Sequence, residues 1–252
     1  MRCTKAIIHI DYLKQNISNI KALLKPETKM CIAVKANAYG HGIVECAKAA
    51  VECGASFLAI AAVEEGIQLR QEGITVPLLL LSLCSPEEIQ EAVDNDITPL
   101  VFDKDYIDSF DKAASSAGKK DYAVHITVDT GMGRVGCRPE EALSLAKKIN
   151  STKPLKLGGI QTHFAASDGT SQKAVEYTEK QFNRFMTAVN SIKDAGIDPG
   201  ICHCANSAAA ISLPKTQLDM VRPGIIVYGY YPDEITREFL KSKGIDFELK
   251  PV

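Results

Sequence analysis

The 252-residue chain contains no tryptophan, and aromatic residues make up only 6% of it. Its charges almost cancel at a formal net charge of −2, so nothing in the balance favours a nucleic acid or an anionic membrane as a partner. Long hydrophobic runs are also missing. The apolar runs, such as Leu78 to Leu81, are strand-sized and far too short to span a bilayer. Met1-Arg2-Cys3-Thr4-Lys5 leads straight into Ala6-Ile7-Ile8-His9-Ile10 with no signal-peptide pattern, so a cytoplasmic location is expected. No disulfide framework is legible either. The eight cysteines, Cys3, Cys31, Cys46, Cys53, Cys84, Cys137, Cys202 and Cys204, are scattered, several inside apolar segments, and read as reduced buried thiols. Cys202-His203-Cys204 has metal-binding residue types, but alternate residues of an extended segment point to opposite faces. No second pair with zinc spacing exists, so no metal is expected.

What is present is a strict alternation of short apolar runs and amphipathic segments. Expected strands are Met30–Val34, Phe57–Ala61, Val76–Leu81, Thr98–Phe102, Ala123–Val128, Leu157–Thr162, Gly200–Cys204 and Met220–Tyr228. Helical patterns fall between them: Val44–Ala50, Ala62–Gln71, one opened by Pro86-Glu87-Glu88, Lys104–Ser115, Pro139–Ile149, Lys173–Ala195 and Asn206–Ser212. The fold class this implies is α/β, a (β/α)8 TIM-type barrel. A doubly wound sheet is the rival, but Asn37-Ala38-Tyr39-Gly40-His41-Gly42 has only two glycines, neither at dinucleotide spacing. The ends depart from the pattern. Ala6–Ile10 reads as an extra strand, Asp11–Leu24 as a helix capped by Asp11, Glu234–Lys243 as a helix, and Phe247–Val252 as the opening of a further extended element.

Lys35 stands where the apolar run Met30-Cys31-Ile32-Ala33-Val34 ends. Burial favours a neutral amine, which is a nucleophile toward aldehydes; the plain alternative is a strand-end lysine reaching out to water. In a barrel, chemistry gathers at the C-terminal ends of the strands. There the sequence puts Lys35 and Tyr39, the turn Asp129-Thr130-Gly131-Met132-Gly133-Arg134-Val135-Gly136, His163, then His203, Asn206 and Ser207, and finally Arg222-Pro223-Gly224-Ile225. Barrels often hold phosphate with the loops after their last two strands. A phosphate between Ser207 and Gly224, within reach of a lysine nucleophile, points to pyridoxal 5'-phosphate.

Five motifs, in order, resemble those of alanine racemases: Ala33-Val34-Lys35-Ala36-Asn37-Ala38-Tyr39-Gly40-His41-Gly42; Val128 to Gly136; Thr162-His163-Phe164-Ala165; His203-Cys204-Ala205-Asn206-Ser207-Ala208; and Met220-Val221-Arg222-Pro223-Gly224-Ile225. The resemblance implies a pyridoxal-phosphate-binding barrel domain over residues 1–232. It makes 233–252 the start of the family's second, β-rich domain, which is missing here. It implies that Lys35 holds the cofactor and serves as one base, that Arg222 faces the pyridine nitrogen, and that His203 orients Arg222. His163 would pack on the ring. Tyr39, Asn206, Ser207, Gly224 and Ile225 would hold the cofactor, most of them at its phosphate, and Arg134 would contact both cofactor and substrate. Other roles stay open for three of these: core packing for His203, wall packing for His163, and a surface salt bridge for Arg134.

The implied activity is two-base racemisation of L- and D-alanine, a step in supplying D-alanine for cell-wall precursors, by a homodimer when full length. The second base would be a tyrosine of the partner's C-terminal domain. The chain departs from the family at Thr127, where a carboxylated lysine often stands, and this keeps serine or another small amino acid open as substrate. A non-catalytic pyridoxal-phosphate carrier and a decarboxylase or lyase of related fold are the other readings. Arg222 speaks against a decarboxylase, which usually sets an acidic residue at the ring nitrogen.

Overall fold

The computed structural model describes residues 4–252, so Cys3 lies outside the described residues. Its strands are β1 (Lys29–Ala33), β2 (Phe57–Ile60), β3 (Leu78–Leu80), β4 (Ile97–Thr98), β5 (Leu100–Val101), β6 (Tyr122–Thr127), β7 (Leu155–Gln161), β8 (Ile201–His203) and β9 (Met220–Val221). Every pairing is parallel. One run of neighbours reads β4-β3-β2-β1-β9 and the other β5-β6-β7-β8.

Two seams join these runs into a cylinder. β4 and β5 are one strand broken at Pro99, which has no N–H to give a ladder; its carbonyl still accepts from His125 N at 3.0 Å. At the other seam Asp219 N donates to Cys202 O at 3.2 Å and Arg222 N to Ala205 O at 2.8 Å. Cys202 N donates to the Asp219 carboxylate at 2.8 Å. The expected (β/α)8 barrel is the architecture observed.

The helices are α1 (Ile10–Ala22), a single turn α2 (Lys35–Tyr39), α3 (Ile43–Glu52), α4 (Val63–Gln71), α5 (Glu88–Asp94), α6 (Lys104–Ser116), α7 (Ala142–Ser151), α8 (Gln172–Asp194), α9 (Ser207–Ser212) and α10 (Arg237–Ser242). Because successive strand residues face opposite sides, the apolar strands build two cores. Cys31, Ala33, Phe57, Ala59, Leu79, Leu100 and Met220 fill the barrel interior. Ile32, Leu58, Ile60, Leu78, Val124, Ile126 and Ile160 face outward against the helices. Each such buried aliphatic side chain contributes roughly 1.5–3 kcal/mol.

Several expectations need correction. Ala6–Ile10 forms no strand: Ile7 is 73% exposed, and Ile10 already begins α1. His9, not Asp11, is the N-cap of α1, without a side-chain bond, and Asp11 sits inside the first turn. The expected last strand, Met220–Tyr228, is only Met220–Val221; Pro223 and Gly224 break it, and Ile225–Tyr228 coil into a 3-10 helix. Phe247–Val252 pairs with no strand. It is instead fastened to α1 by Asn16, whose amide donates to Lys250 O at 2.8 Å and to Val227 O at 3.0 Å and accepts from Lys250 N at 2.9 Å. Phe247 and Leu249 are buried in the outer core. No helix among the described residues is long and apolar enough to cross a membrane. The described cysteines are free thiols, and all but Cys53 are buried.

Candidate active site

At the C-terminal ends of the strands lies a cavity of about 590 Å³. Lys35, Tyr39, Arg134, His163, Asn206, Ser207, Arg222, Gly224 and Ile225 all line it. His203 stands one layer below, bonded to Arg222.

Lys35 enters the cavity because β1 ends two residues earlier and the chain then winds the wrong way. Ala36, Asn37, Ala38 and Tyr39 all have φ of 53–54°. Left-handed backbone costs an L-residue roughly 1–2 kcal/mol, so this turn is held rather than loose. Ala38 N donates to Val34 O at 2.7 Å and Gly42 N to Asn37 O at 3.0 Å. The Asn37 amide oxygen accepts from Ile43 N at 2.9 Å. Glu65 at the start of α4 accepts from Asn37 N at 3.2 Å and from Ala61 N at 2.8 Å. The segment is a defined turn, and its two glycines, Gly40 (φ 88°) and Gly42 (φ 95°), end it. The Lys35 amine has its pKa lowered, first by burial and then by the cation of Arg134, with Glu65 opposing. The half-buried lysine is thereby shifted toward its nucleophilic neutral form.

The far wall brings Tyr39 onto Gly224. A Cβ on Gly224 would lie 2.6 Å from the Tyr39 hydroxyl, so a side chain there would push the tyrosine ring aside. Gly224 N donates to Ser207 Oγ at 2.9 Å. Asn206 caps α9 by accepting from Ala209 N at 3.1 Å, and the same oxygen accepts from Ser167 Oγ at 2.9 Å. Backbone N–H groups, hydroxyls and bare glycine make this end a place for anionic oxygens.

The loop after β6 folds round Asp129, whose carboxylate accepts from Gly131 N at 2.9 Å and Gly133 N at 3.0 Å. This projects Arg134 into the cavity rim, exposed and with no hydrogen bond or ion pair to the described residues. Thr127 accepts from Gln161 Nε2 at 2.8 Å.

Arg222 crosses the floor, buried. It donates from Nη2 to Thr162 O at 2.7 Å and shares Nη1 with His203 Nδ1 at 2.9 Å; His163 Nδ1 lies 3.4 Å from Nη2. Its Nε has no partner among the described residues. Burial lowers its pKa to about 10, which still leaves it a cation near neutrality. His163 is pushed down to about 3 by burial and then by Arg222, Arg134 and Lys35, so it is a neutral ring in an electropositive site. Two members of the site escaped the sequence reading. Glu65 gave no signal beyond a helix-start carboxylate. His125, 2.9 Å from His203, sits inside an apolar strand, and its one trace was the Gly158-Gly159 pair on the next strand, which leaves room for its ring. Among the described residues, no group of His, Cys, Asp or Glu could hold a metal ion.

Comparison with known proteins agrees with this geometry. The family described as "Alanine racemase, N-terminal domain" matches residues 8–232. An alanine racemase of Treponema denticola is 46% identical over 252 residues, which are 100% of this chain and 64% of that protein. One of Methanococcus maripaludis is 42% identical over 92% of this chain and 62% of its own length. The structure of the Clostridium difficile 630 alanine racemase in complex with cycloserine superimposes with a TM-score of 0.90 at 38% identity, covering 97% of this chain and 65% of that one. The chain thus spans less than two thirds of the length of these relatives. The five motifs, the barrel that gathers them round one cavity, and these likenesses agree: the chain belongs to the alanine racemase family, matching its N-terminal domain.

Proposed function

We propose that this barrel binds pyridoxal 5'-phosphate and that the protein racemises alanine with Lys35 as one of two bases. The observation that carries the reading is Arg222 Nε, a buried donor without a partner on the wall of the cavity that holds Lys35. Arginine can only donate, so its ligand there must be an acceptor free of a proton. An unprotonated pyridine nitrogen fits that demand, and the Tyr39, Ser207, Gly224 and Ile225 end, with Asn206 behind it, fits a phosphate. When bound, the cofactor supplies an aldehyde that links to amines and a ring that draws off electrons from a breaking bond at carbon.

The chain's own residues do the rest. Lys35 would hold the cofactor, and its amine would accept or return a proton at Nζ on one face of the substrate's Cα. Arg222 keeps the ring nitrogen unprotonated, which restrains the electron sink and with it side reactions. Arg134 meets the substrate carboxylate, and His163 walls the ring. Racemisation needs a second base on the opposite face. The family resemblance puts it in a partner subunit of a homodimer, with residues 233–252 leading from the barrel domain toward the part that carries it. The free thiols suit the reducing cytoplasm. A second substrate reading, serine or another small amino acid, is favoured by Arg134 having no partner where Thr127 replaces a charged side chain.

Titration of the purified chain with pyridoxal phosphate tests this. A protein-bound absorbance band is expected in the parent and in Arg134→Ala, and none in Lys35→Ala. A band that survives Lys35→Ala would remove the basis of the proposal.

A further inference from the structure

Arg222 is a buried cation without a carboxylate, since none of the ion pairs among the described residues includes it. Its charge is met by the carbonyls of Thr162 at 2.7 Å and Cys204 at 3.4 Å and by His203 Nδ1 at 2.9 Å. Because arginine only donates, His203 Nδ1 accepts, and the proton of that neutral ring sits on Nε2. Nε2 lies 2.9 Å from Nδ1 of His125. His125 therefore accepts in turn and carries its own proton on Nε2. All protons of the chain point away from Arg222, toward the opposite mouth of the barrel, whose cavity His125 also lines. The two imidazole dipoles run in series, with their negative ends toward the guanidinium.

The barrel makes room for this second ring. A Cβ on Gly159 would lie 2.7 Å from the His125 ring and one on Gly158 3.2 Å from it, while Phe57 packs against it with centroids 6.2 Å apart. Burial holds both rings far toward the neutral form that the relay requires, His125 down to about 3.

We propose that His125 is a positioning residue: by accepting from His203 it fixes that ring's tautomer and keeps Arg222 set as a donor whose Nε is left for the ligand. This rests on the reading of Arg222 as the partner of the cofactor's ring nitrogen. It concerns a residue two layers below the cavity that touches neither cofactor nor substrate.

The test is nitrogen NMR of the full chain carrying 15N-labelled histidine, recorded without and with pyridoxal phosphate. Without ligand, parent His203 and His125 should each show a bare Nδ1 and a protonated Nε2. H125F removes the acceptor, so His203 should lose its single tautomer and pyridoxal-phosphate affinity should fall about tenfold, the scale of one buried hydrogen bond. H125N returns an acceptor near the Nδ1 position and should restore both. A proton on Nδ1 of His203 in the parent chain, a measurement that needs no variant, overturns the proposal. So does an unchanged His203 spectrum in H125F or, should that variant not fold, mixed tautomers in H125N. The expected tautomers in a chain that takes up no pyridoxal phosphate would remove the cofactor reading and leave the relay standing.

Discussion

The two mouths of the barrel hold cavities of about 820 Å³ and about 590 Å³, and the smaller one carries the chemistry. The larger lies at the N-terminal ends of the strands. Its buried and half-buried charges have partners: Lys119 pairs with Asp96 at 2.7 Å, and Arg70 donates to the carbonyls of Ile74, Val76, Asn95 and Asp96; Lys29, Lys120 and Lys156 on the same mouth are exposed to solvent. At the C-terminal mouth, among the described residues, Arg222 keeps Nε unpartnered and Arg134 makes no hydrogen bond or ion pair, and Lys35 is a half-buried amine pushed toward neutrality. Volume does not distinguish the two ends. Buried or half-buried donors and nucleophiles left without partners do, because a folded chain tolerates the cost of an unsatisfied buried group mainly where a ligand will meet it.

The contrast can be broken most severely at Lys35. Lys35→Ala should abolish covalent capture of pyridoxal phosphate, read by mass spectrometry after borohydride reduction. Arg222→Met, which replaces a buried ion with an aliphatic chain of similar length, should keep the fold and weaken pyridoxal-phosphate binding about 100-fold in a fluorescence titration. Gly159→Ala attacks the floor between the mouths. Its Cβ would lie 2.6 Å from Ile201 O and 2.7 Å from the His125 ring, so a loss of roughly 1–3 kcal/mol in denaturant melts is expected.

Acid should act through the same floor. His125 and His203 have folded-state pKa values far below 6.5, so the unfolded chain binds protons that the folded one does not. Their contribution is fully present above the unfolded value and is lost as pH falls below it, by about 1.4 kcal/mol per ring per pH unit. Thermal melts between pH 7 and 5 should show that loss, and His125→Asn should reduce it. The smallest effect is expected at Arg134→Gln. Removing that cation raises the Lys35 pKa, so capture should require higher pH, while Lys156→Gln at the other mouth should leave the pH profile in place.

Much of this was legible because a barrel repeats one rule: an apolar run, a turn, a helix. The rule places Lys35, His163, His203 and Arg222 on one face before any coordinate is seen. It fails where a β-rich composition has no ladder to join. Ile225–Tyr228 is as β-prone as any strand here, but Pro223 and Gly224 turn it aside, and Ile7 has no free edge to meet. The left-handed turn at Ala36–Tyr39 was not legible, since alanine, asparagine and tyrosine rarely adopt positive φ unless their surroundings impose it. His125 was hidden for another reason. It lies in an apolar strand, and its purpose depends on a ring 78 residues away.

The central claim is that Lys35 and Arg222 serve one ligand in one cavity. Peptide mapping of the borohydride-reduced complex with pyridoxal phosphate tests it most directly. The account predicts one modified peptide, carrying the label on Lys35 and strongly reduced in Arg222→Met. Label spread over exposed lysines such as Lys120 and Lys156, with Lys35 unmodified, would contradict it.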